Sequence, residues 1–173
     1  MRSLRLPVLV VLLVVVAAGT WYVISSRGSR NAPTLPVYFT KMDGTSLGRT
    51  SVSLRPPLAG ESAAEHLHNT ALYAAVQAVA GPPGDVQAIR FPPGTRVLGV
   101  EVNGSTATVD LSKDVENTPG GSFGETGEMK ALVYTVTGVA GVDAVQILVE
   151  GNRLETLPGG HLEIDEPLHR SDW

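Results

Sequence analysis

FPPGTRVLGVEVNGSTATVDLS, residues Phe91 to Ser112, carries two strand-like runs on either side of Asn103-Gly104. Asn and Gly both accept positive φ at little cost, so this dipeptide between apolar runs is a strong hairpin signal. With Asn103 and Gly104 as the two loop residues, Val102 faces Ser105, Val100 faces Ala107 and Leu98 faces Val109. Those residues line one side of the ladder. Val97, Glu101, Thr106, Thr108 and Asp110 line the other, more polar side. Pro92-Pro93-Gly94 leads into the hairpin, and Asp110-Leu111-Ser112 leads out of it into a loop.

Upstream, Pro36 to Thr40 is a short β-prone run, Met42-Asp43-Gly44-Thr45 a turn, and Leu47 to Leu54 a second strand that Pro56-Pro57 stops. Ser62-Ala63-Ala64-Glu65 has the capping-box pattern and opens a helix to about Val79, with Leu72, Ala75, Val76 and Val79 as its stripe. Gly81-Pro82-Pro83-Gly84 ends it. Downstream, Ser122-Phe123-Gly124-Glu125 repeats the capping-box pattern before a helix to about Thr137. Its buried face is marked by Met129, Leu132, Val133 and Val136. Val145, Ile147 and Val149 alternate as a strand, and Gly151-Asn152 turns into a return at Arg153-Leu154. From Pro158 onward no periodicity is visible, so residues 158–173 are expected to form a loosely ordered tail. The order predicts an α+β domain over residues 36–157, a small and mostly antiparallel sheet with two helices on one face.

The chain has 173 residues and no cysteine, which removes disulfide and thiolate chemistry from consideration. Arg2, Arg5, Arg27 and Arg30 precede residue 31 and no acid does. The remainder therefore sets 9 of the 13 basic residues against all 17 acidic ones. A body that acidic argues against nucleic acid and against docking on anionic lipid. Leu6 to Ile24 is an uncharged apolar run of roughly 19 residues, close to what a ~30 Å hydrocarbon layer requires. Trp21 and Tyr22 sit near its far end, as interfacial aromatics do. Residues 1–30 are thus expected to be a single-pass transmembrane helix with the body outside the cytoplasm. The rival reading is a signal segment cleaved after Val16-Ala17-Ala18, giving a secreted protein. The polar stretch Ser25–Pro36 reads as a tether, with residues 31–35 joining anchor to domain.

Val37-Tyr38-Phe39, the helix ending at Gly81-Pro82, FPPGTRVLGV followed by ATVDLS, and LVYTVTGVAGVDAVQILVEGN stand in the order seen in the GerMN-domain family. The chain resembles that family, named from sporulation and spore germination, from about Pro36 to Leu154. The resemblance implies an exported or membrane-tethered bacterial envelope protein with a fold similar to the ring-building motif of secretion assemblies. It carries over no catalytic residue. Well-known members have tandem copies behind a lipid-modified cysteine, whereas this chain has one copy and an apolar segment.

Several residues invite chemistry. Gly120-Gly121-Ser122-Phe123-Gly124 satisfies G-x-S-x-G, and Asp143 with His161 or His169 follows in hydrolase order. A nucleophile elbow needs a buried strand before the serine, however, and Asp114 to Pro119 is polar; Ser122 serves as a helix N-cap instead. His66 and His68, beside Glu61 and Glu65, point apart on a helix and cannot share one ion. Asp110, Asp114 and Glu116 lack the EF-hand's central Gly and final Glu. Asn103-Gly104-Ser105 is a glycosylation triplet already needed as the turn. No phosphate-cradling loop and no HExxH occur. No catalytic, cofactor or metal residue is therefore assigned. The expected function is a non-enzymatic envelope module that binds a protein partner or itself through an edge strand, Val37–Thr40 or Val145–Val149. The alternatives are a peptidoglycan-binding module, for which Trp21 and Trp173 are the only tryptophan platforms, and a small serine hydrolase.

Overall fold

In a computed structural model, which describes residues 32–158 and 160–173, the hairpin forms as β3 (Val97–Asn103) and β4 (Thr106–Leu111). The expected membrane segment Leu6–Ile24 lies outside the described residues. Among those described, no helix is long and apolar enough to cross a membrane. The hairpin turn sits one residue later than Asn103-Gly104. Asn103 pairs with Thr106, leaving Gly104 (φ 61°) and Ser105 as the loop. Val102 then faces Ala107 and Val100 faces Val109, which keeps the same apolar face. The shift has a cause downstream: the Ser105 carbonyl accepts from Asp143 N at 2.8 Å and Ala144 N at 3.3 Å, anchoring the turn to the next strand.

At the other end Leu98 is 46% exposed, contrary to expectation, and Val97 packs toward the core. Arg96 and Ser112 are locked together by Ser112 N to the Arg96 carbonyl (2.8 Å) and Arg96 N to Ser112 Oγ (3.0 Å). Between that lock and the turn, β3 carries one residue more than β4. The surplus is absorbed as a bulge between Val97 and Gly99 that turns Leu98 outward.

The architecture also departs from one mostly antiparallel sheet. β1 (Thr34–Thr40) and β2 (Leu47–Ser53) form an antiparallel pair of their own, turned at Asp43, whose carboxylate accepts from Thr45 N (2.9 Å) and Ser46 N (2.8 Å). The second sheet has the order β3-β4-β5, with β5 (Ala144–Val149) parallel to β4. A parallel pair needs a long crossover. Helix α2 (Ser122–Val136) supplies it. Helix α1 (Ala63–Ala80) packs on β3 and on α2, while α2 packs on β1.

The capping box of α1 is complete: Ser62 Oγ accepts from Glu65 N and Glu65 Oε2 accepts from Ser62 N. Its buried stripe, however, is Ala71, Ala74, Ala75 and Ala78, and Val76 is 41% exposed. Short side chains let the helix lie close on its neighbours, so the alanines turn inward. The expected face of α2 holds: Met129, Leu132, Val133 and Val136 are all fully buried.

The segment after Leu157 is a strap across the core and not a loosely ordered tail. Leu168 and Val145 exchange both backbone hydrogen bonds (2.9 and 2.8 Å), and Gln146 Nε2 donates to the Ile164 carbonyl at 2.9 Å. Arg170 donates to Thr137 Oγ1 (2.7 Å) and to the Tyr134 carbonyl (2.8 Å), its guanidinium lying over the rings of Tyr38 and Tyr134. Leu157, Ile164 and Leu168 join the core. Their irregular spacing suits an extended strap and leaves no helix or strand period to read. Ile164→Ala is expected to cost about 2–4 kcal/mol in urea unfolding, as a cavity in a closed core does. A truly loose tail would show almost no change.

Candidate functional site

The concave surface lies where the chain leaves β2 and enters α1, and one carboxylate shapes it. Glu61 Oε1 and Oε2 accept from Arg55 Nη2 (2.7 Å) and Nη1 (2.8 Å), from Leu58 N (2.9 Å) and from Asn69 Nδ2 (2.9 Å). His66 Nδ1 lies 3.2 Å from Oε2. The Arg55 hydrogen bonds first, then the Leu58 N–H and the Asn69 amide, hold the Glu61 carboxyl far below the usual carboxylate range. Its side chain is only 7% exposed. The loop from Leu54 to Gly60, stiffened by Pro56-Pro57, is thereby clipped to the first turns of α1.

Beside this clip opens a groove of about 750 Å³. Leu35, Leu54, Pro57, Leu67, Val139 and Ala140 make its apolar walls; His66 and Thr70 stand at its polar margin. A smaller hollow of about 550 Å³ adjoins it at His66 and Tyr73, and another of about 730 Å³ lies on the His68 side. The two histidines thus face different hollows, as their spacing predicts. The arrangement can seat apolar side chains and offer a few hydrogen bonds at the margin. Among the described residues, no group of three or more His, Asp or Glu stands together as a metal site.

The other sequence candidates fall on separate elements. Ser122 opens α2 behind a 3₁₀ turn, Lys113–Asn117, and not behind a strand. It is not the N-cap either: Gly121 is, and no side chain caps that end. Glu125, the expected box partner, turns inward to 1% exposure, where its Oε2 accepts from His161 N at 3.2 Å. The tail strap brings that donor, and only the tertiary fold could. His169 N donates to Asp172, and Asp143 N to the Ser105 carbonyl, so the main chain at both positions is held in a cap and a turn. Asp110 accepts from Gly151 N (2.8 Å), Asp114 from Ser112 Oγ (3.1 Å), and Glu116 lines a cavity of about 20 Å³ beside Glu125. Asn103 sits in β3 opposite Thr106. Of the expected edge strands, β5 is covered by the strap. β1 gives Tyr38 N to Thr135 Oγ1 (2.9 Å) and the Thr40 carbonyl to Ile89 N (2.9 Å). The outer edges of β2 and β3 have no such partners among the described residues.

The burial of two glutamates escaped the sequence reading. Glu128, one turn after Glu125, is also 1% exposed. Burial, with the neighbouring Glu125 charge adding to it, pushes its carboxyl up to about 8 against the pull of the Thr118 hydrogen bond. The signal was present: Glu125 and Glu128 continue the stripe of Met129, Leu132 and Val136 backward at helical spacing. Gly124 lets the chain close over them, since a Cβ there would run into the Pro119 carbonyl. Glu61→Ala is expected to free the Leu54–Gly60 loop, read as faster limited proteolysis within it while α1 keeps its helical circular dichroism. The clip's contribution is lost as acid protonates Glu61, so wild type should acquire the same susceptibility only well below the ordinary glutamate range.

The Germane family model, described as sporulation and spore germination, matches residues 36–155. Among solved structures, the tandem GerMN domains of the sporulation protein GerM from Bacillus subtilis superpose with a TM-score of 0.61 at 21% identity, over 82% of this chain and 48% of that one. The chain thus spans about half the length of that tandem structure. The first GerMN domain of the same protein gives 0.56 at 22% identity, over 81% of this chain and 99% of that one. A "Putative Lipoprotein" from Clostridium perfringens gives 0.54 at 19%, over 82% and 89%. At such identities these likenesses concern the fold. No curated protein sequence matches the chain.

Proposed function

The chain belongs to the Germane family, the sporulation and spore germination domains, and from that premise we propose that it is a non-enzymatic module of the bacterial envelope that binds a protein partner in the Leu35–Leu54–Leu67–Val139 groove. The observation that carries this reading is the groove itself, apolar in its walls and bordered by a carboxylate whose oxygens are already engaged. A preformed apolar groove loses little entropy when an extended segment enters it. The excess of acids over bases outside the first thirty residues favours a partner segment with apolar anchors and basic flanks.

Tethering by Leu6–Ile24, with the body outside the cytoplasm, belongs to the same proposal. The apolar run supports it, and so does a structural relative named as a lipoprotein. Peptidoglycan is the weaker occupant: Trp173 is half-buried against the core with its indole N–H enclosed, so it makes a poor sugar platform. Self-association, if it uses strand addition, falls to β2 or β3, since β1 and β5 are covered.

A photo-crosslinking residue in place of Ala140, in the full chain in cells, is expected to trap one protein partner. Leu67→Asp should abolish that product, weakening binding by tenfold or more as loss of a buried anchor does, with the fold intact by circular dichroism. Attachment to glycan alone, or an adduct indifferent to Leu67→Asp, would refute the groove as the docking site.

A further inference from the structure

Thr118 Oγ1 lies 2.8 Å from the Val115 carbonyl oxygen and 2.9 Å from Glu128 Oε2. A threonine hydroxyl has one proton to give. With Glu128 ionised, both neighbours are acceptors, and one contact sets lone pairs against lone pairs. Both contacts are satisfied together only when Glu128 Oε2 carries a proton and donates it to Thr118 Oγ1 while the hydroxyl donates to Val115. We infer that Glu128 is held as a carboxylic acid whose proton latches α2 to the connector Lys113–Asn117, through a Glu128–Thr118–Val115 relay, beside Leu157 and Gly160.

The surroundings agree. Val115 is fully buried, so its carbonyl has no water to fall back on if the hydroxyl turns away. The cavity of about 20 Å³ beside the relay is lined by Thr118, Glu116, Glu125, Leu157 and Gly160. Glu125 is buried there with Oε1 unpartnered, and Glu128 Oε1 is unpartnered as well. Among the described residues, the charged or titratable groups beside the relay are Glu125 on the same helix, Glu116 on the connector and His161 in the strap. Lys130 turns away to the Thr45 carbonyl. Asp114 is taken by Ser112. β1 meets α2 beside Glu128 through the uncharged Thr40 hydroxyl, which donates to the Gly127 carbonyl at 2.8 Å, and again through Tyr38 N at Thr135; the strap's Arg170 reaches Thr137, more than two turns beyond Glu128. The buried face of α1 is alanine. Among the described residues, no Lys or Arg forms an ion pair with Glu125 or Glu128.

The direction of the response follows from linkage. The closed state holds the Glu128 proton up to about pH 8, while an opened state releases it in the ordinary range near 4.5. Opening therefore becomes easier as pH rises between those values, by up to about tenfold per unit, and levels off above. The latch is tight in acid and slackens through neutrality.

Hydrogen exchange of the full chain from pH 5 to 9, corrected for intrinsic rates, tests this on peptides covering 113–121 and 157–162. Wild type should show an opening constant that rises roughly a hundredfold or more from pH 5 to 8 and then flattens. Glu128→Gln, whose amide N–H donates to Thr118 at any pH, should stay closed with no slope. Thr118→Val should open at pH 5 toward the wild-type level at pH 8. A flat wild-type profile, or the same slope in Glu128→Gln, would overturn the inference. Should Glu128→Gln fail to fold, carboxyl ¹³C titration of wild-type Glu128 decides instead, and a midpoint at the ordinary glutamate value would overturn it.

Discussion

A helix enclosed on most sides must find an internal partner for each polar group it carries, because water is not there to do so. Helix α2 is under that constraint. It crosses from β4 to the parallel β5, takes β1 along one flank, α1 along another and the C-terminal strap near both of its ends. Thr135 answers by receiving Tyr38 N and giving its own proton to the Ala131 carbonyl (2.8 Å). The Gly127 carbonyl receives the Thr40 hydroxyl at 2.8 Å. The β1–β2 sheet is thereby hydrogen-bonded to the helix, which also packs on β5 of the other sheet. Glu125 and Glu128 are the residues for which the answer is incomplete.

The two kinds of buried carboxyl in this fold behave oppositely for a plain reason. Glu61 sits at a loop where Arg55, Asn69 and the Leu58 N–H all converge, so the ionised form is the one with partners. Glu128 faces a hydroxyl already committed to a carbonyl and another carboxyl one turn away. Hydrogen bonds to the charged form lower a carboxyl, while desolvation and a like charge raise it. The first arrangement makes a rigid clip beside an open groove. The second makes a joint whose strength depends on one proton. Glu61 lies just before the start of α1, whereas Glu128 lies inside α2.

Several elements were legible because their signals are local. The Ser62–Glu65 capping box, the Gly81-Pro82 stop, the Met129–Val136 stripe and the hairpin's apolar face depend on residues within one or two turns of each other. The signals that misled were local as well. Asn103-Gly104 is a good turn, but the Ser105 carbonyl is claimed by β5, and the loop moves by one residue. Ser122 matches both a cap and a nucleophile elbow, yet it is neither. Glu125 was drawn into the interior by a donor from residue 161, which no window along the chain includes. The strap, too, has no period to betray it.

By itself the sequence determined the number and type of most elements, the α+β class, the family, and the absence of any thiol chemistry, since all of these reside in composition, periodicity and ordered motifs. Tertiary structure decided the split into two sheets, the parallel pairing of β5, the alanine face of α1, the burial of the strap, and the contrasting states of Glu61 and Glu128. Those outcomes turn on which distant groups arrive at the same place. A charge or an edge strand is defined by its neighbours in space, and the chain's own order does not contain them.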